Sequence, residues 1–178
     1  MLKKILIGLV VVIGVFLAYV AKQPSDFRIT RSAVIAAPAK VVFAQVNDFH
    51  NWQAWSPWAK KDPTAKNLFE GSPSGKGAMF SWAGNREVGE GRMTITESHP
   101  YDLIRINLDF SKPMKASHTA EFRFAPEGKQ TTLTWSMFGK QTFMGKAICL
   151  FMNMDKMVGG DFEKGLAEIK TISESARK

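Results

Sequence analysis

From residue 67 to residue 138 the chain reads as strand after strand. Six alternating runs, 67–71, 77–83, 90–98, 102–110, 115–125 and 131–138, are separated by turn residues. The breaks at Ala83-Gly84-Asn85, His99-Pro100-Tyr101-Asp102, Ser111-Lys112-Pro113 and Pro126-Glu127-Gly128-Lys129 are short, so neighbouring strands pair as an antiparallel meander. Alternation assigns the faces. Ile104, Ile106, Leu108 and Phe110 oppose Arg105, Asn107 and Asp109. Ala120, Phe122 and Phe124 oppose Glu121 and Arg123, and Leu133, Trp135 and Met137 oppose Thr132, Thr134 and Ser136.

A sheet with one apolar face needs a second layer to cover it. The C-terminal segment supplies one, because Val158, Phe162, Leu166, Ile169 and Ile172 recur at helical spacing among charged residues. Residues 142–157 before it are also helical in pattern and rich in methionine, with Cys149 among apolar neighbours where a buried, inert thiol is expected. Gly159-Gly160 then predicts a bend or flexible joint, and with the adaptable methionines a gate for a ligand.

Upstream, residues 27–37 alternate as a first strand, with Phe27, Ile29, Arg31, Ala33 and Ile35 on one face. Pro38 opens a short helix through Val41, Val42, Val46 and Phe49. Trp52, Trp55 and Trp58 recur every three residues and gather on one side of a second short helix ending before Pro57. They form either core or the wall of a binding cavity.

The start of the chain is different in kind. Residues 5–21 are uncharged and apolar between Lys4 and Lys22, and a helix of that length spans roughly 25 Å, near the lower limit for a bilayer core. A secretory signal shares these features. The run is long for one, however, and Tyr19 stands where cleavage after Ala21 would want a small residue. The expected organisation is a transmembrane anchor over 1–22, a linker over 23–26 and one folded domain over 27–178. Lys3 and Lys4 favour an inside N-terminus although Lys22, Arg28 and Arg31 are basic on the other flank. The expected location is therefore a single-pass membrane anchor with the domain outside the cytoplasm.

The formal charge is +8 and stays positive once Lys3 and Lys4 are set aside, which suits an anionic membrane surface. The basic residues are scattered singly and no helix-turn-helix, zinc or RNP pattern is present, so no nucleic-acid partner is expected. The 45% hydrophobic content excludes a disordered chain.

Catalytic motifs are missing. There is no Gly-x-Ser-x-Gly elbow, phosphate loop, dinucleotide fingerprint, HExxH or CxxC, and the three histidines are far apart, so no metal and no cofactor is expected. Glu87 and Glu90 read as solvated hairpin charges. His118 is the weak catalytic candidate: alternation puts it on the inner face with Ala116, Ala120 and Phe122, where an imidazole can orient a carbonyl or move a proton. The plainer reading is a histidine satisfied by a local partner.

The order strand, two short helices, six-stranded meander, long helix resembles the START and polyketide-cyclase (SRPBCC) superfamily. The stretches Gly89-Glu90-Gly91-Arg92-Met93-Thr94-Ile95, Thr132-Leu133-Thr134-Trp135, Phe143-Met144-Gly145-Lys146 and Gly160-Asp161-Phe162-Glu163-Lys164-Gly165-Leu166 are similar to its polyketide cyclase/dehydrase-like, membrane-anchored bacterial branch. The resemblance implies an α+β helix-grip fold: a curved seven-stranded antiparallel sheet wrapped around the last helix. Trp135, Phe162, Gly165 and Leu166 would seat that helix, and a cavity between the layers would take a lipid or other apolar compound. No shared catalytic residue comes with it. The expected function is binding or transfer of a hydrophobic small molecule or lipid at a membrane, with Trp52, Trp55, Phe80, Trp82, His118, Phe122, Trp135 and Phe151 as candidate contacts. The alternatives are a cyclase or dehydratase using a proton-shuttling residue, and a structural or regulatory protein with no ligand; the oligomeric state is left open.

Overall fold

The structure, a computed structural model, describes residues 1–176; residues 177 and 178, the end of the expected domain, lie outside the described residues. Helix α1 (Leu2–Lys22) is followed by β1 (Asp26–Ile35), α2 (Ala39–Asn47), a 3-10 turn (Phe49–Asn51), α3 (Trp52–Trp55) and α4 (Pro57–Lys61). The strands β2 (Lys66–Gly71), β3 (Ala78–Ala83), β4 (Glu90–His99), β5 (Leu103–Lys112), β6 (Ala116–Glu127) and β7 (Gln130–Lys140) come next, then α5 (Phe143–Cys149) and α6 (Met154–Ser175).

All seven strands form one antiparallel sheet in the order β1-β7-β6-β5-β4-β3-β2. Each strand from β2 to β6 pairs with its successor because the turns are short, while α2 to α4 carry the chain from one edge of the sheet to the other. The inner face is the apolar one: Ile104, Ile106, Ala120, Phe122, Phe124, Leu133, Trp135 and Met137 are all buried. Helix α6 covers it with Phe162, Leu166 and Ile169, and this is the helix-grip arrangement.

Pro57 does not simply end a helix. It occupies the first turn of α4, where its missing N–H costs nothing, so the third tryptophan sits on a separate short helix.

The joint between the last two helices also differs from expectation. Gly159 and Gly160 lie inside α6, and the break falls earlier, at residues 150–153, where the Asn153 side chain accepts a hydrogen bond from Lys156 N (2.9 Å) and starts a new helix. Gly159 has another use. A Cβ there would collide with the guanidinium of Arg31, which passes beneath the helix and donates Nε to Glu163 (2.7 Å) and Nη2 to Asp155 (3.0 Å).

Helix α1 projects from the sheet end where β1 begins. It is long and apolar enough to cross a membrane and is almost wholly exposed. Its last turn nevertheless touches the rest of the chain: Val20 is buried, and Lys146 Nζ donates to Ala21 O (3.3 Å).

Candidate functional site

All the candidate residues but Phe151 fall into two groups on the inner side of the sheet. Trp52, Trp55, Phe122 and Trp135 form one, packed ring against ring under α6. Trp135 stacks on Phe162 with centroids 4.0 Å apart and planes 9° from parallel, and on Phe122 at 4.8 Å, while Trp52 and Trp55 meet at 4.5 Å. Gly165 permits the close approach, since a Cβ there would fall 2.9 Å from the Trp135 ring. These rings fill the middle of the space between sheet and helix. Trp52 Nε1 donates to Val46 O (3.0 Å) and Trp55 Nε1 to Gln45 O (2.9 Å), but the buried Trp135 Nε1 has no partner among the described residues.

The second group stands at the sheet end beside α1. Register places Phe27 of β1 and His118 of β6 on either side of Gly139 in β7. Gly139 has no side chain, and the two rings meet edge to face across it at 4.9 Å. A Cβ at Gly139 would fall 2.8 Å from His118 Nδ1. Phe110, opposite Ala116, lies 6.2 Å from His118 and 5.8 Å from Trp82, whose Nε1 donates to Val88 O (2.9 Å). Trp82 stacks on Phe80 at 6.1 Å, and Phe80 continues to Phe49, joining this rim to the tryptophan cluster.

His118 is the polar point of the rim. Its Nδ1 is buried with no hydrogen-bond partner among the described residues. Burial pushes the imidazole below its ordinary value, so the ring is neutral at pH 7 and offers one donor and one acceptor. His50 and His99 are spent elsewhere: His50 stacks on Phe69 at 4.2 Å and contacts Asp48 Oδ1 (2.7 Å), and His99 lies exposed near Glu97.

A groove of about 600 Å³ opens next to this rim, between the start of β1 and residues 149–155. Phe27, Ile29, Cys149, Leu150, Phe151 and Met152 supply its apolar wall, and Arg28, Gln141, Asn153 and Asp155 its polar edge. Phe27 therefore touches both the groove and His118. Cys149, expected to be buried, is partly exposed in this wall and accepts from Gln141 Nε2 (3.2 Å). Phe151 is 77% exposed and faces Phe16 of α1 at 6.3 Å. A second groove of about 550 Å³, with Lys61, Lys156 and Lys164 around Asp161, shares Met152 and Asn153 with the first.

Sequence reasoning missed Phe27 and Gly139 as site residues. Phe27 was legible only as one apolar position in a strand, and a glycine carries no apolar signal at all.

A curved antiparallel sheet closed by a terminal helix, with aromatic rings between them and a mouth at one end, defines the helix-grip class. Comparison with known families narrows this: the model described as polyketide cyclase/dehydrase and lipid transport matches residues 26–174, and the chain belongs to that family. No curated protein matches it in sequence. Among solved structures, the Zhui aromatase/cyclase from Streptomyces sp. R1128 is similar at 15% identity, over 86% of this chain and 96% of that one, with a TM-score of 0.64. A protein from Thermobifida fusca is similar at 23% identity, over 80% and 90%, with a TM-score of 0.60. One from Chromobacterium violaceum is similar at 15%, over 85% and 99%, at 0.57. At these identities the likeness is one of fold.

Proposed function

We propose that this protein binds or transfers a hydrophobic small molecule or lipid at a membrane. In this reading α1 is an uncleaved anchor over residues 1–22, residues 23–26 are a linker, and the domain over 27–178 stands on the periplasmic side of a bacterial inner membrane. The observation that carries it is the position of the groove: its apolar wall opens beside the end of α1, and Phe27 in that wall contacts His118, whose Nδ1 has no hydrogen-bond partner among the described residues. An apolar ligand sliding in past Phe27 would gain roughly 25 cal/mol for each Å² of apolar surface buried. His118 Nδ1 would take its one polar group. The family description names lipid transport, and a lipid is an apolar ligand of the kind proposed here.

The test is native mass spectrometry of the full-length protein released from nanodiscs. A bound apolar molecule in the wild type, and less of it in Phe27→Asp, is the expected result; a bare protein in both contradicts the proposal.

A second reading, a cyclase or dehydratase, is favoured by the same neutral His118, which is suited to moving a proton inside an apolar mouth. The two separate on His118→Ala. A chemically altered bound molecule that reverts to its precursor in this variant indicates the enzyme, and one unchanged in identity indicates the carrier.

A further inference from the structure

Helix α1 does not leave the domain cleanly at its last residue. Four of its side chains at helical spacing, Ile13, Phe16, Leu17 and Val20, are less exposed than their neighbours: 48%, 38%, 45% and 0%, against 66% for Val15. That stripe at i, i+3, i+4 and i+7 is the face turned toward α5 and the connection after it. Phe16 meets Phe151 there, and Lys146 reaches the carbonyl of Ala21.

The level of these contacts along α1 is the informative quantity. Phe16 lies five residues before Ala21, the end of the apolar run, which is about 7–8 Å along a helix axis. A helix that spans a bilayer keeps its whole apolar run in the hydrocarbon, so whatever packs at Phe16 lies below the headgroups. Phe151 packs there, and the surface around it is apolar and uncovered, with Phe143, Met144, Phe151 and Met152 all exposed. Lys22 and Lys146 sit one level higher, where cations meet lipid phosphates.

We infer that α5 and residues 150–153 are embedded in the leaflet that holds the C-terminal end of α1, so that the groove opens into lipid acyl chains and not into water. This rests on the reading of α1 as a membrane span. The occupant of the exposed apolar surface is the bilayer itself, fixed by the shared level with α1. The depth agrees with the roughly 5–10 Å typical of interfacial apolar faces.

The experiment uses the full-length chain with Cys149→Ser, reconstituted in vesicles of equal parts phosphatidylcholine and phosphatidylglycerol. Single cysteines are introduced by Phe151→Cys, Ile13→Cys and Lys129→Cys, and each is labelled with a polarity-sensitive fluorophore. Residue 151 is exposed, so its replacement leaves the core intact, and residue 129 marks the far end of the sheet. Nitroxide-bearing lipids then report contact with acyl chains. The expected result is blue-shifted, strongly quenched emission at positions 13 and 151 and neither change at 129. Quenching at 13 with a water-like signal at 151 overturns the inference and leaves the anchor standing. A water-like signal at both 13 and 151 overturns the anchor and the inference together.

Discussion

Phe27 and His118 come into contact because Gly139, on the strand between them, has no side chain. The mouth of the domain is thus set by an absence, and adding one methyl group there is its simplest perturbation. Gly139→Ala drives a Cβ against His118 Nδ1. Forced overpacking of this kind costs about 1–3 kcal/mol. The variant should show that loss in urea unfolding in detergent micelles, and His118→Ala combined with it should recover most of the loss.

The same histidine makes stability depend on pH. Its folded-state value lies below the ordinary one of about 6.5, so the unfolded chain takes up the proton first as pH falls. Its contribution is intact above the ordinary value and is lost as pH drops below it. Urea midpoints should decline as the pH falls below about 6.5, and His118→Gln should flatten that part of the profile. An identical slope in the variant would assign the decline to other groups.

Adjacent glycines in α6 should respond oppositely. Nothing lies within 4 Å of a Cβ built at Gly160, so Gly160→Ala should stabilise by about 0.5–1 kcal/mol through helix propensity alone. Gly159→Ala displaces the Arg31 guanidinium from Asp155 and Glu163 and should lose that gain. In an Arg31→Ala background the gain at position 159 should return, which thermal unfolding of the two series would show.

Trp55 and Trp135 are both buried, yet among the described residues the Trp55 indole N–H has a partner and that of Trp135 has none. Replacement by Phe removes similar volume in each case. Trp55→Phe also strips a donor from Gln45 O, so it should be costlier than Trp135→Phe by about 1–3 kcal/mol, measured by equilibrium unfolding.

The parts of the fold that were legible are those in which one residue's neighbours lie close in sequence. Ile104 and Ile106, Phe122 and Phe124, and Leu133 and Trp135 announce their faces by period-two spacing, and Phe162, Leu166 and Ile169 by helical spacing. What stayed hidden depends on partners far away in the chain. Gly159 looked like a hinge because its reason, Arg31, is 128 positions upstream. Phe151 looked like a ligand contact within the cavity because the helix it faces, α1, is at the opposite terminus. The real joint at residues 150–153 was marked only by Asn153, one polar residue among methionines.

The most direct measurement of the central claim uses a phospholipid carrying a photoactivatable diazirine at the end of one acyl chain, incorporated in vesicles with the full-length protein. After illumination, the crosslinked residues are mapped by peptide mass spectrometry. Acyl-chain adducts on Phe27, Phe110 and His118, inside the mouth and beyond the reach of a bilayer that merely touches α1, are the expected result. Adducts confined to residues of α1, with none on the sheet, would contradict the account.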